Sequence, residues 1–309
     1  MKVPKIIVVG SSNTDMIIKM DRIPTPGETI IGGDFFMAAG GKGANQAVAA
    51  ARLGGEVTFV AKVGTDMFGK QAVENFKQEG IDTDFIVEAA EDPSGVALIF
   101  VDQKGENSIA VASGANNSLT EQDVSAAQGK LEEADVLLLQ LETPLDTVRH
   151  AARLAVEKGV KIILNPAPAR ELDDELLSCI TVLTPNETET EILTGIKVED
   201  EQSGQAAAQV LRSRGVTNVV ITLGSEGSLV VTEGKSITVP SKKVKAMDTT
   251  AAGDCFNGAL ACALAEGKSL EEAARFANLA GALSATKMGA QPSMPTFAEL
   301  QTFAGAELA

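Results

Sequence analysis

The chain has 309 residues and 44% hydrophobic content, enough for a sizeable buried core and incompatible with a disordered or fibrous protein. Its formal net charge of -16 excludes a binder of phosphate backbones, whose affinity comes from clustered Lys and Arg. The apolar stretch 6–9 is too short for a signal core or a membrane span, so the expected location is the cytoplasm.

In chain order, apolar runs at 5–9, 57–63, 136–140, 161–165, 180–183, 219–223 and 229–231 predict strands. The central ones are too continuously apolar for a one-sided sheet, which predicts a doubly wound, mostly parallel α/β sheet flanked by helices on both faces. Between the runs, amphipathic patterns predict helices over 43–53, 70–79, 147–158 and 205–214, most of them closed by Gly. No repeat or low-complexity linker interrupts the pattern, so residues 1–309 read as one domain. Segments 14–37 and 95–112 break the rhythm, with strand-like stretches at 15–19, 29–32, 96–101 and 108–111 and no helix among them. Lys104-Gly105 supplies a hairpin signal. Ligands of a doubly wound sheet sit beyond the carboxyl ends of its strands, so a small β-sheet added there is expected to act as a lid.

A single histidine, His150, and the absence of Tyr and Trp leave acid/base work to carboxylates, Lys or Cys. Thr143-Pro144 reads as an N-cap and first helical position, which puts His150 on the flank of a helix. Cys179, Cys255 and Cys262 form no CxxC pair and read as packed thiols, with neither a disulfide nor zinc expected.

Small residues before a helix leave backbone N–H groups facing any anion. Asp248-Thr249-Thr250-Ala251-Ala252-Gly253-Asp254 has that form, with Ala251, Ala252 and Gly253 as candidate anion-hole amides. Asp254 is then either a first-turn helix acid or a base taking the proton of a hydroxyl aligned with a phosphate. Gly40-Gly41-Lys42-Gly43-Ala44-Asn45-Gln46 fails the Walker A pattern, having no Ser or Thr after Lys42, and fails GxGxxG because Gln46 replaces the third Gly. It remains a tight turn or a backbone that approaches a ligand, with Asn45 both donor and acceptor. Asn13 and Asp15 share a face by the period of two, as turn residues or as partners of sugar hydroxyls. Glu142 follows an apolar strand where such a fold presents residues to its ligand. Asn186 and Glu189, one helical turn apart, suit helix capping or water-mediated Mg²⁺. The turn from Thr222 through Gly224 and Ser225 to Gly227 suits a nucleotide or a plain β-turn.

Together with Asn165-Pro166-Ala167-Pro168-Ala169-Arg170 and Gly289-Ala290-Gln291-Pro292-Ser293, these segments occur in the order seen in the PfkB carbohydrate-kinase family, which the chain resembles over about 5–295. The resemblance implies ATP-dependent phosphorylation of D-ribose at its 5-hydroxyl. It implies that Asn13, Asp15, Gly41, Lys42, Asn45 and Glu142 hold the sugar and that Asp254 is the base. It also implies a nucleotide site at Asn186, Thr222, Gly224, Ser225, Gly227 and Asn278, with Gly253 in the anion hole. Mg²⁺ would be reached through water by Glu189, and a monovalent cation, K⁺, would lie near Asp248, Thr250, Ser284, Lys287, Gly289 and Ser293. Another sugar or a nucleoside as acceptor is the alternative, and a non-catalytic sugar or nucleotide sensor is the alternative of a different class.

Segment 96–101 is apolar on both alternating faces, so a lid covering substrate with one face would expose the other. A homodimer formed lid to lid is therefore expected. Lys at Ile99 and Val101 is the sequence-based choice for breaking it.

Overall fold

The computed structural model describes residues 2–103 and 107–305. Among the described residues thirteen strands are formed, in chain order β1 (Lys5–Val9), β2 (Asn13–Lys19), β3 (Asp34–Gly40), β4 (Glu56–Gly64), β5 (Ile86–Ala89), β6 (Gly95–Val101), β7 (Asn107–Ala112), β8 (Val136–Leu139), β9 (Lys161–Leu164), β10 (Val182–Leu183), β11 (Asn218–Thr222), β12 (Gly227–Thr232) and β13 (Lys235–Pro240). Nine build one sheet in the order β13-β12-β11-β10-β9-β8-β1-β4-β5, parallel except at the β11-β12-β13 edge. Its middle strands are apolar on both faces because both are covered. On one side pack the Ala-rich helices Lys42–Arg52, Ala252–Ala265 and Leu270–Ser284. On the other pack Leu145–Lys158 and its neighbours.

The chain starts at β1 in mid-sheet, winds outward to β4 and β5, then returns to β8 and winds the other way. The reversal lies between β1 and β8, and the carboxyl ends there make a crevice. Gly10 to Asn13, Gln140 to Glu142, Asn165 and Thr184 to Asn186 all follow strands that end at it.

The other four strands form a separate sheet, β3-β2-β6-β7, growing directly from the end of β1. Its register pairs Asp15 with Ala38 and Ala97, and Ile17 with Phe36 and Ile99, so these share one face. Met16 pairs with Met37 and Leu98 on the opposite face. Phe35, Met37 and Leu98 are all exposed there. Ile99 and Val101 thus lie on the Asp15 face, and a charge aimed at the other face belongs at Met37 and Leu98 instead.

Several expectations need correction. The strand expected at 29–32 is not formed; Gly32 and Gly33 have φ of 116° and 103°, which breaks extended pairing, and the strand runs from Asp34 instead. The edge strands β5 and β13 carry too short and too mixed a pattern to stand out in the sequence. The helix carrying His150 starts at Leu145 with Pro144 as N-cap, one residue later than Thr143-Pro144 suggests. His150 is half-buried on its flank beside Ser125, with 2.7 Å from Nε2 to the hydroxyl. The turn at Lys104-Gly105 lies outside the described residues. Cys255 and Cys262 are buried, and burial pushes both thiols up to about 12. Among the described residues no helix is long and apolar enough to cross a membrane.

Candidate functional site

Two glycines let the small sheet meet the large one. A Cβ on Gly40 would come within 2.3 Å of both Asp15 carboxylate oxygens, and one on Gly41 within 2.7 Å of the Asn13 amide. Gly41 also sits at φ 90° as N-cap of the Lys42–Arg52 helix, which an L side chain rarely adopts. Asn116 clamps the neighbouring backbone: its Oδ1 accepts from Ser12 N at 2.8 Å and its Nδ2 donates to Asn13 Oδ1 at 2.7 Å. The Asn13 NH₂ is thereby turned away from Asn116. Glu142 Oε2 accepts from the Ser11 hydroxyl and from Lys42 N, the latter at 3.0 Å, so this carboxylate oxygen caps the helix start.

Asp254 stands in the first turn of the Ala252–Ala265 helix and is 6% exposed. Asn45 Nδ2 donates to its Oδ2 and Gln46 Nε2 to its Oδ1, each at 2.9 Å. Asn45 Oδ1 is buried without a partner, an acceptor ready for a ligand hydroxyl. Burial drives the Asp254 carboxyl up, against the pull of Lys42 and of the Asn45 and Gln46 hydrogen bonds. The same burial lowers the Lys42 ammonium, but Asp254, Glu142 and Glu189 together carry it above its ordinary value. Asp15 is pushed up to about 7 by burial, with help from Glu142 and Asp254. Four carboxylates and one ammonium therefore converge. Cationic or hydroxyl-rich groups are favoured between them, and free anions only beside Lys42.

On the other side of Asp254 opens a cavity of about 570 Å³. Lys42, Asn186, Glu189, Thr222, Gly224, Ser225, Gly227, Gly253, Asp254 and Asn278 all line it. Asn186 and Glu189 form a complete capping box for the Glu187–Thr194 helix, so the capping reading of this pair is realised geometrically. Glu189 still reaches the cavity, where burial raises its carboxyl against the Asn186 N–H and Lys42. Asn278 Nδ2 is used on Ser228 Oγ and Val239 O, which ties its helix to β12 and β13.

Ala251 is the one non-glycine residue with positive φ among the described residues, at 59°, a strained conformation held at the helix N-cap. Of the three amides proposed for an anion hole, that of Ala252 donates to Thr249 O at 3.1 Å and is occupied. The next N–H groups, of Gly253 and Asp254, belong to the turn that has no partner within a helix.

Asp248 joins the two segments read as a cation loop: Oδ1 accepts from Thr250 N and Oδ2 from Gly289 N, both at 2.9 Å. Burial pushes its carboxyl up, yet these bonds win and hold it below the usual range. Ser284 Oγ donates to Gly281 O, Ser293 Oγ to Ala290 O, and the Lys287 ammonium pairs with Glu299. The Ser284 and Ser293 oxygens keep their lone pairs after donating, so backbone carbonyls, these two hydroxyls and Asp248 are the groups suited to face an ion, while the Lys287 ammonium is not. An all-oxygen donor set of that kind fits a hard monovalent cation and not a soft metal. Among the described residues no group of three or more His, Cys, Asp or Glu forms a metal cluster.

The sequence reading missed Gln46 as a partner of Asp254, and Asn116, Gln140, Thr184 and Asn257 altogether. All are buried polar residues at strand ends or helix starts. For Gln140 and Thr184 the position directly after an apolar strand was the available signal; Gln46, Asn116 and Asn257 carried none.

The model of the pfkB family of carbohydrate kinases matches residues 3–297. A ribokinase of Haemophilus influenzae is 51% identical over 296 residues, 96% of this chain and 97% of the relative. A deoxyribokinase of Salmonella typhi is 39% identical over 299 residues, 96% of this chain and 98% of the relative. A solved Arabidopsis thaliana ribokinase, complexed with ribose and ATP, superposes with a TM-score of 0.91 at 34% identity, covering 98% of this chain and 99% of that one.

Proposed function

The chain belongs to the pfkB family of carbohydrate kinases and uses ATP to phosphorylate ribose, and from that premise we propose how its own residues perform the transfer. Ribose lies under the small sheet with adjacent hydroxyls donating to Asp15, and Asn13 and Asn45 complete its recognition. ATP occupies the 570 Å³ cavity with its γ-phosphate toward Asp254. Asp254 takes the proton of the 5-hydroxyl as that oxygen attacks phosphorus. The Gly253 and Asp254 amides at the strained helix start, with Lys42, stabilise the charge that develops on the transferring phosphoryl group. The observation that carries this reading is the Asp254 carboxylate standing between the sugar cluster and the nucleotide cavity with one hydrogen bond on each oxygen.

Glu189, which lines the cavity, would hold Mg²⁺ through water, and the ion would supply shielding of the ATP phosphate charges. A cytoplasmic location, where ATP is abundant, belongs to the same reading. Measuring ADP release with ATP and Mg²⁺ against ribose, deoxyribose, fructose and adenosine tests the acceptor. Ribose should be preferred; a larger kcat/KM for deoxyribose would move the chain toward the function of its Salmonella relative.

The oxygens around Asp248, Thr250 and Gly289 would hold a monovalent cation, which would supply rigidity to the anion-hole backbone. Replacing K⁺ by tetramethylammonium should lower kcat or raise apparent KM while the far-ultraviolet circular dichroism stays unchanged. Equal activity in the two buffers contradicts the site.

The small sheet acts as a lid, and its exposed Phe35, Met37 and Leu98 face is covered by the same sheet of a second copy through a two-fold contact. Met37→Lys with Leu98→Lys should give monomers by light scattering at micromolar concentration, with weakened ribose binding. A wild type that is already monomeric, or an unchanged mass in the variant, rules the lid dimer out.

A further inference from the structure

Asp254 stands at one end of a buried row of amides that crosses the carboxyl ends of β8, β9 and β10. Gln140, directly after β8, donates through Nε2 to Gln46 Oε1 at 2.6 Å. Gln46 Nε2 donates to Asp254 Oδ1 at 2.9 Å and to Asn165 Oδ1 at 3.1 Å, so both of its protons are used. Asn165 Nδ2 donates to Thr184 O at 3.2 Å, Thr184 Oγ1 to Asn257 Oδ1 at 2.6 Å, and Asn257 Nδ2 to Gly253 O at 2.8 Å. The row begins on Asp254 and ends on the residue before it. Gln46 is 0% and Gln140 1% exposed.

Chemistry fixes the direction of these bonds. An ionised carboxylate only accepts, so Gln46 must present its NH₂ to Asp254 and its carbonyl oxygen to the far side. There the Gln140 NH₂ meets it, which leaves Gln140 Oε1 buried with no donor. An orphaned buried acceptor is costly, and the fold also gives up a side chain to make room: a Cβ on Gly10 would stand 2.1 Å from that oxygen. Two buried glutamines, one of them incompletely satisfied, are a poor choice for stability alone where Leu and Ala pack nearby.

We propose that Gln46, oriented by Gln140, is a positioning residue for the base: it keeps Asp254 ionised in a dry site and turns its remaining lone pairs toward the sugar hydroxyl. The inference rests on the reading of Asp254 as the base. Lys42 acts on the same carboxylate through charge, and Asp15, Glu142 and Glu189 also face it, with the Cys255 thiol adjacent in the chain. Those charges set how readily Asp254 ionises. Only the amides of Asn45 and Gln46 fix which lone pairs are taken.

The test is the pH profile of kcat at saturating ribose in Gln46→Met and Gln140→Met, where the Asp15 titration that governs ribose binding does not enter, with ribose affinity measured by calorimetry. Losing a hydrogen bond to the charged form should move the acid limb of the Gln46→Met profile up by about one pH unit. Its kcat at pH 7 should fall at least about tenfold, while ribose affinity barely moves. Gln140→Met, which donates to Gln46 and not to Asp254, should shift the limb the same way by less. An unmoved limb in Gln46→Met, including a loss that is uniform at every pH, overturns the proposal, since a packing defect alone would give that. If Gln46→Met does not fold, Gln46→Glu replaces it; two carboxyls then share a proton and the limb moves further up, and an unmoved limb is again fatal. Asp254→Asn is assayed beside them. Turnover at the wild-type rate there removes the base assignment and this inference with it, whereas a dead Asp254→Asn with a wild-type Gln46→Met profile overturns the positioning role alone.

Discussion

Asp254→Asn should fold and bind both substrates yet lose on the order of 10²–10⁴ in kcat, the usual cost of removing a general base. Both carboxylate oxygens accept NH₂ groups, from Asn45 and Gln46. An Asn side chain must set its own NH₂ against one of them, so a donor is left unpaired in a buried site. That should lower stability by about 1–3 kcal/mol, seen as a lower Tm, without unfolding the chain. Sugar and ATP affinities should change far less than kcat, because the amide has nearly the shape of the acid. Steady-state rates with calorimetric affinities check the pattern. A near-wild-type kcat would show that the hydroxyl proton leaves by another route.

Asp15→Ala should instead act on the sugar. Removing the partner of two hydroxyls in a buried site costs about 1–3 kcal/mol, or roughly fivefold to a hundredfold in ribose affinity, with ATP affinity measured without sugar nearly unchanged. The pH dependence has a definite sign. Burial raises the Asp15 carboxyl to about 7, and hydroxyls donate to the ionised form, so ribose binding releases a proton below pH 7. Ribose affinity should be flat above that pH and weaken by up to about tenfold per unit below it. In Asp15→Ala this slope should vanish. A wild-type affinity that stays constant from pH 8 to 5.5, or a variant that loses ATP binding equally, would make Asp15 a structural residue.

The doubly wound sheet was legible because β1, β8, β9 and β11 each carry at least three consecutive apolar residues, a continuity that a two-sided sheet needs. The crevice residues at the ends of those runs followed from the same pattern. Gly40 and Gly41 stood out as glycines, but their reason, the close approach of Asp15 and Asn13, is visible only in three dimensions. Gln46 was read from the sequence merely as the residue that spoils a glycine fingerprint. Its bond to Asp254 spans 208 positions, and no local periodicity carries that information. The same holds for Asn116, which reaches back 104 positions to Ser12. At Ala252 local reasoning misled, because a helix start suggests free amides and the Thr249 carbonyl takes one of them.

The most direct test of the central claim is the identity of the product. Incubated with ATP, Mg²⁺ and D-ribose, the protein should form D-ribose 5-phosphate in equal amount to ADP, read by phosphorus NMR, and 5-deoxyribose, which lacks the attacked hydroxyl, should yield no phosphorylated sugar. ADP formed without a sugar phosphate, or phosphate found on a carbon other than C5, would contradict the account.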